Sequence, residues 1–229
     1  MADEAQSILV IDDHPLMRKG ILQLIAMAPD LRLAGVAGDG VSGLQMACQL
    51  LPDLILLDLN MHGLSGMDTL KALKAADLDA RVIILTVSDS EEDVVEALRL
   101  GADGYLLKDM EPEEVLHALK VAASGQIALS ERVTSILATA LRHENQAKPP
   151  VTIKLTEREQ GILSLVAAGY SNKLIARKLK ITEGTVKVHV KHLLRKLDLS
   201  SRVEAAVWAS KYPPAKPGAL DCEPLKAAN

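Results

Sequence analysis

The sequence contains no phenylalanine, one tryptophan and three tyrosines, an aromatic share of 2%. So few rings exclude stacking on exposed bases as a mode of action. Cysteine is nearly as scarce: Cys48 and Cys222 lie far apart, and neither sits in a metal-ligand spacing. That excludes a disulfide framework and points to a reducing compartment, the cytoplasm. No apolar run approaches the roughly 18 residues of a membrane span. The opening MADEAQS is acidic and does not read as a signal peptide, so no membrane association is expected.

What is present is 229 residues, 48% of them hydrophobic and 24% charged, enough for two packed domains. The formal net charge of −4 conceals a segregation. Residues 1–130 carry −12, whereas residues 151–212 carry +7. An acidic module joined to a basic one is the asymmetry of a regulator tethered to a nucleic-acid binder.

Along residues 7–125, short apolar runs alternate with amphipathic stretches. Strands are expected over 7–11, 32–37, 54–57, 81–85 and 104–107. ILVI and LILL are apolar on both faces, as parallel strands covered by helices must be. Five βα units in about 120 residues predict a doubly wound, flavodoxin-like five-stranded parallel sheet. Residues 130–143 read as one more helix, and HENQAKPP as a linker. The expected division is an α/β module over 1–128, a linker helix and flexible linker over 129–150, a helical module over 151–212 and a Pro-rich, disordered tail over 213–229.

Chemistry gathers at the strand ends of the first module. Asp12 and Asp13 follow the first strand and Asp58 the third, neighbours at the point where ligands bind in such sheets. Three converging carboxylates repel one another unless a cation joins them, and oxygen-only ligation suits Mg²⁺. The backbone carbonyl of Asn60 offers a further ligand. Thr86 and Lys108 follow the fourth and fifth strands. A carboxylate nucleophile, a divalent metal, an ammonium and a hydroxyl are the parts needed to accept a phosphoryl group.

The runs VIDDHPLMRKG, DLILLDLNM, ILTVSD and GADGYLLKD resemble the receiver domain of bacterial response regulators. The resemblance implies Asp58 as phosphoacceptor, Asp12 and Asp13 as metal-site acids, Thr86 and Lys108 as phosphoryl partners, and Tyr105 as switch aromatic. His62 departs from it, standing where the family usually has proline; an exposed loop histidine is expected there rather than a ligand. The segment at 38–43 fits G-x-G-x-x-G, but it follows the second strand and lies near the acid cluster, which argues against dinucleotide binding. A haloacid dehalogenase-type phosphatase uses similar parts. It carries DxD after the first strand, where this chain has Asp12-Asp13-His14, and no cap insertion is evident.

The second module reads as helices. Thr156 and Glu159 form a capping box, and residues 172–179 and 183–197 flank a tight turn, the helix-turn-helix pattern. In the latter helix Val186, Val190, Leu193, Leu194 and Leu197 take one face. Lys187, Val188 and Lys191 project from the other, where lysines meet guanine edges or phosphates and a valine meets a thymine methyl. His192 flanks that face. LTEREQGILSLVAAGYSNKLIARKLKITEGTVKVHVKHLLRKL resembles the four-helix output domain of the NarL/LuxR (FixJ) family, with Gly184 a departure at the helix start. That implies base reading by Lys187, Val188 and Lys191. It also implies dimerisation on DNA through a fourth helix at 203–210, with Val203, Ala206 and Val207. The implied function is a two-component, Mg²⁺-dependent transcription regulator, not a turnover enzyme, in the branch that answers nitrate and nitrite; a regulator of the same family answering a different signal is the alternative, since such relatives share the phosphoryl chemistry. Its implied partners are a sensor histidine kinase, double-stranded promoter DNA, RNA polymerase and a second copy of the chain. The acidic module is expected to cover the basic one until phosphorylation. A constitutive DNA binder with the receiver as a mere dimerisation platform is the rival reading.

Overall fold

The computed structural model describes residues 5–76, 78–144, 155–199 and 201–211. The linker expected at 145–150 and the tail expected at 213–229 lie outside the described residues. The first module is a parallel sheet in the order β2-β1-β3-β4-β5-β6. Its strands are β1 (Gln6–Ile11), β2 (Leu31–Ala37), β3 (Leu54–Leu57), β4 (Arg81–Thr86), β5 (Gly104–Leu107) and β6 (Ala128–Leu129). The connecting helices are α1 (Pro15–Ala26), α2 (Gly40–Leu50), α3 (Gly66–Ala75), α4 (Glu91–Arg99) and α5 (Pro112–Ala123). Alternate strand residues feed two separate cores. Leu9, Ile11, Ile55 and Leu57 join the cluster under α2 to α4, while Ile8, Val10, Leu54 and Leu56 join the one under α1 and α5.

The sheet has six strands where the sequence predicts five. The added β6 is two residues long, too short to announce itself by period. It pairs with Gly104 and Tyr105 of β5. A Cβ on Gly104 would sit 2.5 Å from the Ala128 carbonyl oxygen, so only glycine lets this edge approach.

Local chemistry sets the helix starts. Asp39, Ser65 and Ser90 cap α2, α3 and α4, each accepting a backbone N–H three residues on. Asp39 is thus a cap in the G-x-G-x-x-G segment, and α2 packs its buried Gly40 and Gly43 on the neighbouring elements. Past β6, α6 (Glu131–Glu144) packs on α4.

The second module comprises α7 (Glu157–Ala167), α8 (Asn172–Leu179), α9 (Glu183–Leu197) and α10 (Arg202–Lys211). Thr156 and Glu159 make the reciprocal capping box of α7. Lys180, in the left-handed region at φ 53°, makes the turn between α8 and α9. Ile162, Ile175, Val186, Leu193, Ala205 and Ala209 share its core. α10 serves both modules: Ala205 and Ala209 face that core, whereas Val203 packs with Val133 and Leu137 of α6 in the large receiver cluster.

The loop from β3 to α3 bears directly on the site. Leu59 and Met61 anchor it in the core, and Gly66 presses against its backbone. A Cβ on Gly66 would meet the Asp58 carbonyl oxygen at 2.2 Å and the Leu59 Cα at 2.3 Å. Gly66→Ala must therefore push α3 away from the Asp58 loop. The expected loss is about 1–3 kcal/mol of stability, read from urea unfolding of wild type and variant.

Candidate functional site

Strand order assembles the acidic pocket. β1 and β3 pair with Ile11 opposite Leu57, so Asp12 and Asp58 leave the sheet side by side. β4 and β5 extend the same edge and deliver Thr86 and Lys108, whose backbone N–H donates to the Thr86 carbonyl oxygen at 2.9 Å. Asp12, Asp58 and Thr86 are 4%, 1% and 0% exposed. The Lys108 Nζ donates to Asp58 Oδ2 at 2.6 Å and lies 2.8 Å from Asp12 Oδ2. Burial works to lower the Lys108 pKa, but the hydrogen bonds to Asp12 and Asp58 and the charges of both outweigh it, and the net direction is up. The ammonium is therefore held charged between two carboxylates. Asp58 Oδ1 accepts the backbone N–H of Asn60 at 3.1 Å, and Asn60 Nδ2 donates to Thr86 Oγ1 at 3.3 Å.

Asp13 stands at the mouth. Its Oδ2 accepts the His62 backbone N–H at 3.0 Å and lies 2.6 Å from His62 Nδ1. Burial pushes the Asp13 pKa up, but these His62 hydrogen bonds, with the charges of His14 and His62, outweigh it and bring it below the usual carboxylate range. His62 is an exposed loop residue, as expected, yet its ring is bonded to the site. Asp13 Oδ1 is buried without a hydrogen bond and sits 2.8 Å from His14 Nδ1. Asp12, Asp13, His14 and Asp58 each bring one ligand atom within 4.8 Å of the others. Three carboxylates against one ammonium leave net negative charge unless the neighbouring imidazoles are protonated. The donor set fits a divalent cation.

Tyr105 is fully buried in β5, and its hydroxyl donates to the Ser88 carbonyl oxygen at 2.9 Å. Burial, then the nearby charge of Asp93, pushes the phenol pKa up, so it stays a donor. Thr86 closes β4, and Ser88 and Asp89 lie on the loop that runs from it into α4. From that loop Asp89 forms an ion pair with Arg132 of α6.

On the basic module, Thr182 caps α9, whose Val186, Val190, Leu193 and Leu197 face inward. Val188 is 54% exposed on the opposite side, and Lys191 and His192 are exposed beside it. Lys187 is partly exposed and paired: its Nζ lies 2.5 Å from Asp79 Oδ1 of the receiver. Val203 is 2% exposed, and Val207 packs on the same cluster. Ala206 is only partly buried.

Several residues escaped the sequence reading, among them His14, Ser88 and Asp79, and the Asp89–Arg132 pair. His14 carried a signal, adjacency to the acid pair, but its ring direction depends on the start of α1. Ser88 and Asp79 carried none, because a loop serine and a loop acid are ordinary until a distant partner is placed against them.

Residues 8–120 match the response regulator receiver domain, and residues 154–209 match the luxR family of bacterial regulatory proteins. The chain is 55% identical to the nitrate/nitrite response regulator protein NarL of Escherichia coli (strain K12), over 90% of this chain and 95% of that one. It is 48% identical to a nitrate/nitrite response regulator protein homolog of Haemophilus influenzae, over 87% of this chain and 94% of that one. Among solved structures, the receiver domain of the putative response regulator NarL from Mycobacterium tuberculosis is 34% identical, with a TM-score of 0.52, and spans 54% of this chain and 99% of that one. Salmonella typhimurium RcsB, at 22% identity and a TM-score of 0.56 over 91% of this chain and 99% of that one, shares the fold. An acidic receiver joined to a helix-turn-helix, related along nearly its whole length to known regulators, makes this chain a two-component response regulator of the LuxR type, a DNA-binding transcription regulator close to the nitrate/nitrite regulators.

Proposed function

We propose that Asp58 accepts a phosphoryl group from a sensor histidine kinase, and that this frees the DNA-reading face of α9. The observation that carries the reading is the buried pocket in which one ammonium, from Lys108, bridges Asp12 and Asp58. An Asp58 oxygen attacks the phosphorus, and the kinase histidine leaves. Asp12, Asp13, one Asp58 oxygen and the Asn60 carbonyl would hold Mg²⁺. The ion supplies charge neutralisation for the incoming phosphoryl oxygens. Lys108, already oriented, pairs with the new dianion, which adds about two negative charges. Thr86 offers its hydroxyl from the buried end of β4.

The consequence runs along the chain of contacts from Thr86. The loop that carries Thr86 and Ser88 leads into α4, which packs on α6 and α10. Drawing Thr86 toward the phosphoryl group shifts this loop, the Tyr105 hydroxyl bond and the Asp89–Arg132 pair together. Loosening there releases α10. Val203 and Val207 become available to a second copy, with Ala206 beside them, for dimerisation on DNA. It also parts Asp79 from Lys187, so that Lys187, Val188 and Lys191 can meet base edges and His192 a phosphate.

We further infer a cytoplasmic regulator, not a turnover enzyme, that answers nitrate or nitrite through its kinase and works with RNA polymerase at promoters. The identity to nitrate/nitrite regulators supports this signal. Among the described residues, no helix is long and apolar enough to cross a membrane.

Binding of the full-length protein to double-stranded DNA with inverted heptamer sites, measured by fluorescence anisotropy, tests the switch. A small-molecule phosphoryl donor plus Mg²⁺ should tighten binding at least about tenfold, equivalent to about 1.4 kcal/mol. Asp58→Ala should abolish the gain, and a gain that survives in that variant rejects the mechanism. Asp79→Lys should raise binding of the unphosphorylated protein by about two- to fivefold, since an exposed pair contributes at most about 1 kcal/mol. That increase should shrink as salt screens the charges.

A further inference from the structure

We infer that Arg132, in the first turn of α6, is a positioning residue: it ties the two loops beyond β4 and β5 to α6 and holds back the movement that frees α9. The inference rests on the switch proposed above and adds to it the side chain that resists it. One arm of the Arg132 guanidinium pairs with Asp89, and the other lies 3.6 Å from Asp109 Oδ2. Asp89 stands three residues after Thr86, and Asp109 directly follows Lys108. A single side chain thus joins the continuations of both phosphoryl partners. The planar fork of arginine suits this task, because its separate N–H groups serve two carboxylates at once.

The start of α6 is a firm anchor. Ser130, buried just before it, donates its backbone N–H to the Tyr105 carbonyl oxygen at 3.2 Å. The Ser130 hydroxyl oxygen accepts the Val133 N–H at 3.3 Å, and Val133 is fully buried in the receiver core. At its other end Tyr105 donates its hydroxyl to the Ser88 carbonyl oxygen at 2.9 Å. A ring therefore closes from Ser88 and Asp89 on the loop, through Tyr105 on β5, to Ser130 and Arg132 at α6. Tyr105 gives the loop one attachment and Arg132 gives it a second. A shift of this loop toward Asp58 has to break or stretch both.

The ion pairs are open to water, with the Arg132 side chain 61% exposed and that of Asp109 70%. Exposed pairs are weak singly and gain when several charges form a network, so Arg132 biases the equilibrium between arrangements and does not lock it. The sign of the effect separates it from bulk electrostatics. Removing a cation from a DNA-binding protein ordinarily weakens its hold on the phosphates. Removing this one loosens the loop and, through α4, α6 and α10, the Asp79–Lys187 contact that covers α9, so DNA affinity rises instead.

The test compares full-length wild type, Arg132→Ala and Arg132→Lys, with and without a small-molecule phosphoryl donor plus Mg²⁺. Fluorescence anisotropy reads DNA binding, and the rate of phosphoryl uptake is followed in parallel. Without donor, Arg132→Ala should bind DNA about two- to fivefold more tightly than wild type, the range open to an exposed charge network. It should also take up phosphoryl faster by a similar factor, because more of it already occupies the receptive arrangement. Arg132→Lys, which keeps the charge but loses the fork, should fall between the two. The urea midpoint of Arg132→Ala should stay near that of wild type, since an exposed side chain contributes little to the core. Unchanged or weaker DNA binding by Arg132→Ala, or tighter binding with a markedly lower urea midpoint, overturns the inference and leaves the phosphorylation switch standing, provided that wild type responds to the donor. A wild type that does not respond overturns the switch itself, and this inference with it.

Discussion

One ammonium between two carboxylates organises the receiver. Asp12 and Asp58 are almost wholly buried, and taking such charges out of water costs several kcal/mol each unless they are paired. Lys108 supplies the pairing, and it reaches both only because β1, β3, β4 and β5 are consecutive in the sheet. Lys108 does not reach the third carboxylate, Asp13, which has His14 and His62 beside it instead. Receiver domains bind Mg²⁺ at an acidic site, and the cluster of Asp12, Asp13 and Asp58 is the matching group in this chain. The pocket is therefore poised by its own electrostatics before any partner arrives.

The same residues connect that pocket to the far module. Thr86 closes β4, the next residues accept the Tyr105 hydroxyl, and α4 follows at once. α4 meets α6 and α10, and α10 is shared, with alanines on the output core and Val203 on the receiver core. The switch proposed above would act through these packed helices, which as a class move between discrete arrangements rather than deform smoothly. The long-range charge asymmetry adds to this coupling, with Asp79 and Lys187 its visible contact.

The strands were legible because ILVI and LILL are apolar on both faces, and β3 and β5 fall where the periodicity puts them. The cap at Thr156 was legible because a hydroxyl reaching a backbone N–H three residues on is a local event. The strand-end residues Asp12, Asp58, Thr86 and Lys108 could be placed together from the sheet order alone. β6 was hidden by its length and by its reliance on the bare backbone of Gly104.

The sequence by itself determined the two modules' secondary structure, their opposite charge and the set of acids at the strand ends, because period, capping and composition act over a few residues. Tertiary structure alone decided that Val203 is buried against α6, that Lys187 has Asp79 as partner, and that two histidines close on Asp13. Each of those depends on segments far apart in the chain being brought within a few ångströms, and no local pattern records which of its possible partners a surface side chain will meet.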